Sequence, residues 1–561
     1  MSQRILPLQF PAGPVLPREK RGAVFTRPWV VDLVLGLAGY IEDANLVDVL
    51  AIEPAAGDGA FLVAMARRLV GSCRRHGRPV ADCAGSLLAY ELDDISAEAA
   101  RVAVADAVTG MGISRRDADE LARGWVRTGD YLLEAGRLPG ATFVVGNPPY
   151  VRLEDMDPEV VDLYRSTYPT MRGRADLYVG FFEAALRQLD PGGVCAFICA
   201  DRWMLNAYGA ELRGFVTSGF GVRAVVEMHN AAAFDSDVSA YPAVTVIRRA
   251  SQGRAVVASA SINAEKAGAA AILDALSAAR RGEPAACPGL SAAGVDSWFS
   301  GTSPWPCGSP ERLALLKDLE ARFPTLESDA TATRVGIGVA TGLDEVYITA
   351  DASLVEPGRL IPLALPADIR GGTLKWSGRY LVNPWGPDGL VDLEEFPRLR
   401  EYLLRNASRL RERNTAKRNP HGWFRTIDRV NLDLTGRRKL YLPDIKGRIH
   451  PVLDEGETYP HHNLYWVTSD EWDLEVLGAL LMSDVGQFFV ESYGVRMRGG
   501  YLRFQAQYLR RIRVPRPADV PADQARRLVT AFRARDSAAA TLIAGEVYGI
   551  GAIPAEAQHG S

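Results

Sequence analysis

Asn147-Pro148-Pro149-Tyr150 is the stretch of this 561-residue chain whose residue types and spacing are best suited to chemistry. The Asn147 side-chain oxygen and the Pro148 backbone carbonyl are two acceptors close together, the two prolines fix the backbone, and Tyr150 offers a ring face. Such a group suits methyl transfer to a planar nitrogen. The exocyclic amine of adenine is a poor nucleophile because its lone pair is delocalised into the ring. An acceptor on each N–H pulls that nitrogen toward tetrahedral geometry, and no strong base is then required. A ring face beside the acceptors suits an extruded base that stacks on it. Asn-Pro-Pro is also an ordinary turn signal, so the neighbouring elements decide between the two readings.

The tetrapeptide follows an apolar run, Thr142 to Gly146, that reads as a buried parallel strand. Upstream, Val47 to Ile52 reads as a second strand, and a turn follows it through Glu53, Pro54, Ala55, Gly57 and Gly59. Leu62, Met65, Ala66, Leu69 and Val70 then recur at helical spacing. A glycine-rich turn between strand and helix is the ligand-binding arrangement of a doubly wound α/β sheet. Glu53 at the strand end suits a cationic ligand group better than a pyrophosphate, and S-adenosylmethionine carries both an ammonium and a sulfonium. Leu87 to Asp93 reads as the next strand, with Glu91 spaced to accept ribose hydroxyls. Beyond it, Asp130 is placed to accept an adenine amino group and Tyr131 to pack on the adenine ring. Each acid alone is as readily a helix cap or a loop residue. The ordered set points to a cofactor site.

Taken together, these residues resemble the DNA amino-methyltransferases that act on adenine N6, in their gamma-class, TaqI-like arrangement. Gly22 to Val31, with Thr26, looks like the N-terminal cofactor motif of that family, and Glu53 to Phe61 like its glycine-rich loop. Glu91, Asp130 and Asn147 to Tyr150 resemble its ribose acid, adenine acid and catalytic tetrapeptide, and Asp176 to Glu183 and Leu189 to Ile198 resemble the helix and strand that follow. Where many relatives have a cysteine in the loop, this chain reads Ala55-Ala56-Gly57-Asp58-Gly59. The resemblance spans roughly the first 250 residues. It implies a Rossmann-like domain dependent on S-adenosylmethionine, held by Thr26, Glu53, Pro54, Ala55, Gly57, Gly59, Glu91, Asp130 and Tyr131. Asn147, Pro148, Pro149 and Tyr150 would be catalytic, and the flipped base would lie between Tyr150 and a second aromatic, Phe234, with Tyr241 as the alternative. The implied partner is double-stranded DNA, and the implied setting a type II restriction-modification system with a separately encoded endonuclease. RNA-adenine and protein-glutamine methyltransferases carry similar tetrapeptides, but look shorter and lack the Thr26 motif. A DNA-binding subunit with a dead methyltransferase fold is disfavoured by the intact acids, and a fused nuclease is not expected.

Composition agrees with an intracellular enzyme of two or more domains: 47% hydrophobic, 24% charged, net charge −4. Six cysteines, at 73, 83, 195, 199, 287 and 307, form no Cys-x-x-Cys pair, so no metal site is expected. There is no signal-peptide pattern and no run of about 18 apolar residues, which predicts a cytoplasmic protein without membrane contact. Charge is unevenly spread. Arg398 to His450 holds fifteen Lys/Arg against five Asp/Glu, and Gly494 to Pro517 holds seven arginines, among them Arg496, Arg498 and Arg503, and no acid. Interleaved Trp423, Phe424, Tyr441, Tyr501, Phe504, Gln505 and Gln507 add groups able to touch bases. The run around Arg398 to Arg418 reads as a solvated helical face, the Arg496 to Arg503 turn as a DNA contact. The chain accordingly divides into a catalytic domain at 1–250 and an Ala/Gly/Ser-rich connecting segment at 251–330, with a helix from Ala264 to Arg280. A mixed α+β DNA-recognition domain at 331–518 and a C-terminal helix and tail at 519–561 follow.

Overall fold

A computed structural model describes residues 25–235, 241–296, 298–494 and 502–554. Contacts divide the chain into two units, Met1–Leu313 and Ala314–Pro554.

The first unit is built on nine strands: β1 Ala51–Glu53, β2 Leu87–Glu91, β3 Val126–Thr128, β4 Ala141–Gly146, β5 Leu189–Ala200, β6 Gly221–Asn230, β7 Pro242–Arg248, β8 Ala255–Ser261 and β9 Leu290–Val295. Their order in the sheet is β3-β2-β1-β4-β5-β7-β6-β8-β9. The first five positions are parallel, and β7 runs antiparallel between β5 and β6. The order reverses between β1 and β4, where Ile52 pairs with Val144. Ligands of open α/β sheets bind outside the carboxyl ends of the strands at such a reversal.

Helices α1 Pro28–Ala38, α2 Ala60–Arg75, α3 Asp94–Gly110, α4 Arg115–Trp125, α5 Tyr131–Glu134, α6 Pro158–Thr167, α7 Tyr178–Gln188, α8 Arg202–Leu205, α9 Ala210–Gly219 and α10 Ala264–Arg281 complete this unit's sheet layers. Side chains alternate across the strands. Ala51, Phe143, Val145, Ala196 and Ile198 face a core with Leu33, Leu62, Met65, Val104 and Ile272. Ile52, Val144, Cys195 and Phe197 face the other, with Tyr131, Phe181, Phe182 and Leu212. Because both faces are covered, the central strands need apolar residues at every position, which is why β4 reads Ala-Thr-Phe-Val-Val-Gly.

The second unit contains a sheet in the order Arg334–Ile337, Leu464–Thr468, Lys439–Pro443, Val452–Asp454, all antiparallel. Another sheet runs Ile348–Thr349, Tyr380–Val382, Leu360–Ala364, Tyr459–Pro460. Helices Leu474–Met482, Asp484–Tyr493, Ala522–Ala534 and Ser537–Tyr548 pack on one another.

Three boundaries differ from the sequence reading. Residues 251–330 do not form one separate connector: β8 pairs in parallel with β6, β9 pairs with β8, and α10 packs on both β8 and β9, so the large sheet extends past residue 250, and residues from Ala314 on fall in the second unit. Residues 519–554 belong to the second unit, and the single C-terminal helix is two, parted at Arg535 with φ 58°. The first strand is only Ala51–Glu53, because Leu46–Asp48 forms a 3₁₀ turn.

Candidate functional site

Four side chains stand at the carboxyl ends of four adjacent parallel strands. In sheet order they are Asp130 two residues beyond β3, Glu91 ending β2, Glu53 ending β1 and Asn147 directly after β4. At about 4.8 Å per strand the row spans roughly 14 Å.

Glu53 is 1% exposed. Burial pushes its carboxyl well above the ordinary range, and Glu91 and Asp58 add to the rise. Among the described residues no hydrogen-bond donor meets its Oε2. A buried carboxyl oxygen without a donor, flanked by other acids, is a receptor for a cation. The turn after Glu53 holds Gly57 at φ 56° and Gly59 at φ 98°, conformations that favour glycine, and leaves open space where a Gly57 side chain would project. Glu91 braces this turn: its Oε2 accepts the Gly57 N–H at 2.8 Å and its Oε1 the Asp93 N–H at 2.9 Å. Burial raises the Glu91 carboxyl, against the lowering effect of those N–H groups. Asp130 caps α5 through the Leu132 N–H at 2.9 Å and accepts the Tyr164 hydroxyl at 2.5 Å. Burial raises it too.

Asn147 Nδ2 donates to Thr26 Oγ1 at 3.1 Å. Thr26, buried at 5% exposure, sits in an extended segment that bridges to Phe234. Arg27 N–H reaches Ala233 O at 3.0 Å and Asp235 N–H reaches Phe25 O at 3.1 Å. The N-terminal motif and the second candidate aromatic are thereby joined beside the tetrapeptide. The Tyr150 ring lies 6.2 Å from Phe234 and 6.4 Å from Tyr178, both edge-on, and its hydroxyl donates to Ile198 O on β5 at 3.3 Å. Tyr150 is half-buried and Phe234 is 8% exposed.

Sequence reasoning assigned no role to several residues placed here. Tyr178 shares a 2.8 Å hydrogen bond with Tyr208, which donates to Asp176 at 3.3 Å. His229, one residue short of the end of β6, lies between Asp201 at 2.7 Å and Glu227 at 3.0 Å. Against burial, which lowers it, Glu227 and Asp201 push this imidazole up to about 10, so it is an imidazolium at neutral pH. Tyr241, the alternative aromatic, packs on His229 with centroids 4.9 Å apart. The signal for this cluster is the β6 segment Glu227-Met228-His229, whose two charges flank an apolar residue on a strand.

Other expectations do not hold in the form stated. Tyr131 lies in the core at 2% exposure, between Tyr90 and Phe181, with its hydroxyl donated to Gln188 at 2.8 Å, so its ring is already covered by protein. Trp423, Phe424, Tyr441 and Phe504 are likewise core residues, because their apolar rings fill the second unit rather than reach outward. Arg496, Arg498 and Tyr501 lie outside the described residues. Arg503 pairs with Asp444 at 2.8 Å in a short antiparallel ladder, Leu502–Arg503 on Ile445–Lys446. The basic surplus between Arg398 and His450 is also reduced. Arg400, Arg409, Arg437, Arg438, Lys439 and Arg448 pair with Glu394, Glu345, Asp470, Glu455, Asp454 and Asp484, all outside that window. Among the described residues no helix is long and apolar enough to cross a membrane.

Residues 138–234, from just before β4 to Phe234, match the model of the Eco57I restriction-modification methylases. The chain is 44% identical over 538 residues to the type II methyltransferase M.PaeR7I of Pseudomonas aeruginosa, covering 95% of this chain and 92% of that one. It is 43% identical over 544 residues to M.XhoI of Xanthomonas vasicola, covering 95% and 98%. The fold is shared with the type IIL restriction-modification enzyme MmeI, solved in complex with DNA, at a TM-score of 0.54 and 12% identity over 95% of this chain and 75% of that one. With 43–44% identity over nearly the whole length of two type II methyltransferases and the tetrapeptide inside the matched segment, the chain belongs to the type II methyltransferases of restriction-modification systems, with an Eco57I-like methylase domain.

Proposed function

We propose that the protein methylates the N6 amine of adenine in duplex DNA at a specific sequence, using S-adenosylmethionine and a base rotated out of the helix. One observation carries this reading: Asn147 and Tyr150 follow β4 at the strand-order reversal, beside the buried Glu53, with the Phe234 ring edge-on to Tyr150 at 6.2 Å. Glu53, with an oxygen that no donor among the described residues meets, fits the cationic end of the cofactor, Glu91 and the Gly57–Gly59 turn its ribose, and Asp130 its adenine amine. When bound, S-adenosylmethionine supplies an electrophilic methyl group on sulfur.

The chain's own residues do the rest. Tyr150 and Phe234 take the flipped adenine between their rings. Asn147 Oδ1 and the Pro148 carbonyl each accept one N–H of the amine and orient its lone pair. Thr26 receives the Asn147 amide N–H, which directs the amide oxygen the other way. Pro149 keeps these groups in place by fixing the backbone. The tetrapeptide itself supplies no dedicated base, and the proton released from the amine passes to water. Positioning and fixed dipoles carry most of the catalysis. The second unit serves as the DNA-recognition domain, in which Arg496 and Arg498 contact DNA, and a separately encoded endonuclease of the same specificity is the partner in the cytoplasm.

The test is incubation of purified protein with methyl-labelled S-adenosylmethionine and unmethylated duplex DNA, followed by nucleoside analysis. The expected product is N6-methyladenine at one recurring sequence. Label in cytosine, RNA or protein glutamine would overturn the reading. Asn147→Ala is expected to abolish turnover and leave cofactor binding nearly intact.

A further inference from the structure

Outside the methylase site, Asp344, His461 and His462 of the second unit each bring one ligand atom within 4.8 Å of the other two. His461 is 4% exposed, and its Nε2 stands 3.2 Å from Asp344 Oδ2. The two imidazole rings lie 4.0 Å apart at 52°. Among the described residues no hydrogen-bond partner meets the buried Nδ1 atoms of His461 and His462. A plain Asp–His hydrogen bond accounts for His461 Nε2 and Asp344, but leaves the buried Nδ1 of the adjoining His462 without a role.

The backbone holds these residues tightly. His461 N–H donates to Ala364 O at 3.1 Å and His462 N–H to Val339 O at 3.0 Å, while Val339 N–H returns to Pro460 O at 3.0 Å. Gly338 is required for the approach: a side chain there would stand 2.3 Å from both the Pro460 and His461 carbonyls. Asp344 opens the short helix Asp344–Tyr347, anchored by the buried Val346 and Tyr347. Its side chain is 48% exposed, with Oδ2 on His461 and Oδ1 accepting the Thr341 hydroxyl.

We infer that Asp344, His461 and His462 form a zinc site that ties the segment 339–344 to the end of the Tyr459–Pro460 strand. Two imidazoles and one carboxylate are ligands for this borderline ion, and three protein ligands leave its fourth position to water. The carboxylate supplies a negative charge against the ion. The site lies within one unit.

Tag-free full-length protein, stripped with chelator and dialysed, is titrated with zinc chloride and separately with cobalt chloride. The expected results are one zinc retained per chain, a visible cobalt spectrum of four-coordinate type and a raised melting temperature of the full chain. Asp344→Asn and His462→Ala are expected to weaken zinc binding about tenfold or more. Absence of stoichiometric zinc in the wild type at micromolar free metal would overturn the inference, as would unchanged affinity in both variants. If a variant fails to fold, the wild-type cobalt spectrum decides: an octahedral, water-like spectrum overturns the site.

Discussion

Replacing Thr26 with valine separates two roles that this residue could have, contact with the cofactor and orientation of Asn147. Its side chain is 5% exposed, and its hydroxyl accepts the Asn147 amide N–H at 3.1 Å. Valine preserves the shape, and the backbone bridge to Phe234 needs no side chain, so the change removes little besides the acceptor. A neutral hydrogen bond of this kind contributes about 0.5–1.5 kcal/mol net. At about 1.36 kcal/mol per factor of ten, the single-turnover methylation rate should fall roughly 2- to 13-fold. The loss stays far below that of Asn147→Ala, because the amide oxygen remains and is only less well oriented. Cofactor affinity, measured by calorimetry on the same preparation, should be nearly unchanged, and Thr26→Ser should recover most of the rate. A valine variant with an intact single-turnover rate and weakened cofactor binding would refute the orientation argument and assign Thr26 to the cofactor alone.

Three other perturbations address the row of acids, the aromatic pair and the second unit. Glu53 is held above its ordinary 4.5, so above that pH the fold retains a proton that the unfolded chain has lost, and stability declines as pH rises toward the folded value. Glu53→Gln should remove this decline, a difference of up to about 1.4 kcal/mol per pH unit in ligand-free melts; parallel pH profiles for the two proteins would contradict it. Phe234→Ala should weaken retention of the extruded base by about 1–3 kcal/mol, read from 2-aminopurine fluorescence at the target position. An unchanged signal would remove Phe234 from the pocket. In the second unit Lys439 and Asp454, both fully buried and 2.8 Å apart, are joined by the Tyr441 hydroxyl on Asp454. Lys439→Met should destabilise the fold by about 3–5 kcal/mol in denaturant, because it strands the Asp454 charge; a cost under about 1 kcal/mol would show the pair to be dispensable.

What could be read in the sequence, and what could not, follows from how far apart the cooperating residues are along the chain. Glu53, Glu91 and Asn147 were legible because each ends or directly follows an apolar run, and in a parallel sheet the ends of such runs are brought to one edge whatever lies between them. Phe234 was legible only through the resemblance; its pairing with Thr26 joins positions on either side of the six strands β1 to β6. The strands β8 and β9 were not legible. Ala255–Ser261 and Leu290–Val295 are rich in small residues, which suit a strand between close neighbours but carry the composition of a linker. The basic window is thinned for the converse reason. Counting charge along Arg398 to His450 treats each arginine as free, whereas Arg409 meets Glu345 and Arg437 meets Asp470 across dozens of residues, so only the folded chain shows which charges remain for a phosphate backbone. The same distance hid the His461–His462 doublet, whose third member, Asp344, lies 117 residues upstream. Strand-end chemistry is therefore the part of such a protein that a sequence displays, while charge surfaces and metal clusters become visible only once the sheets have closed.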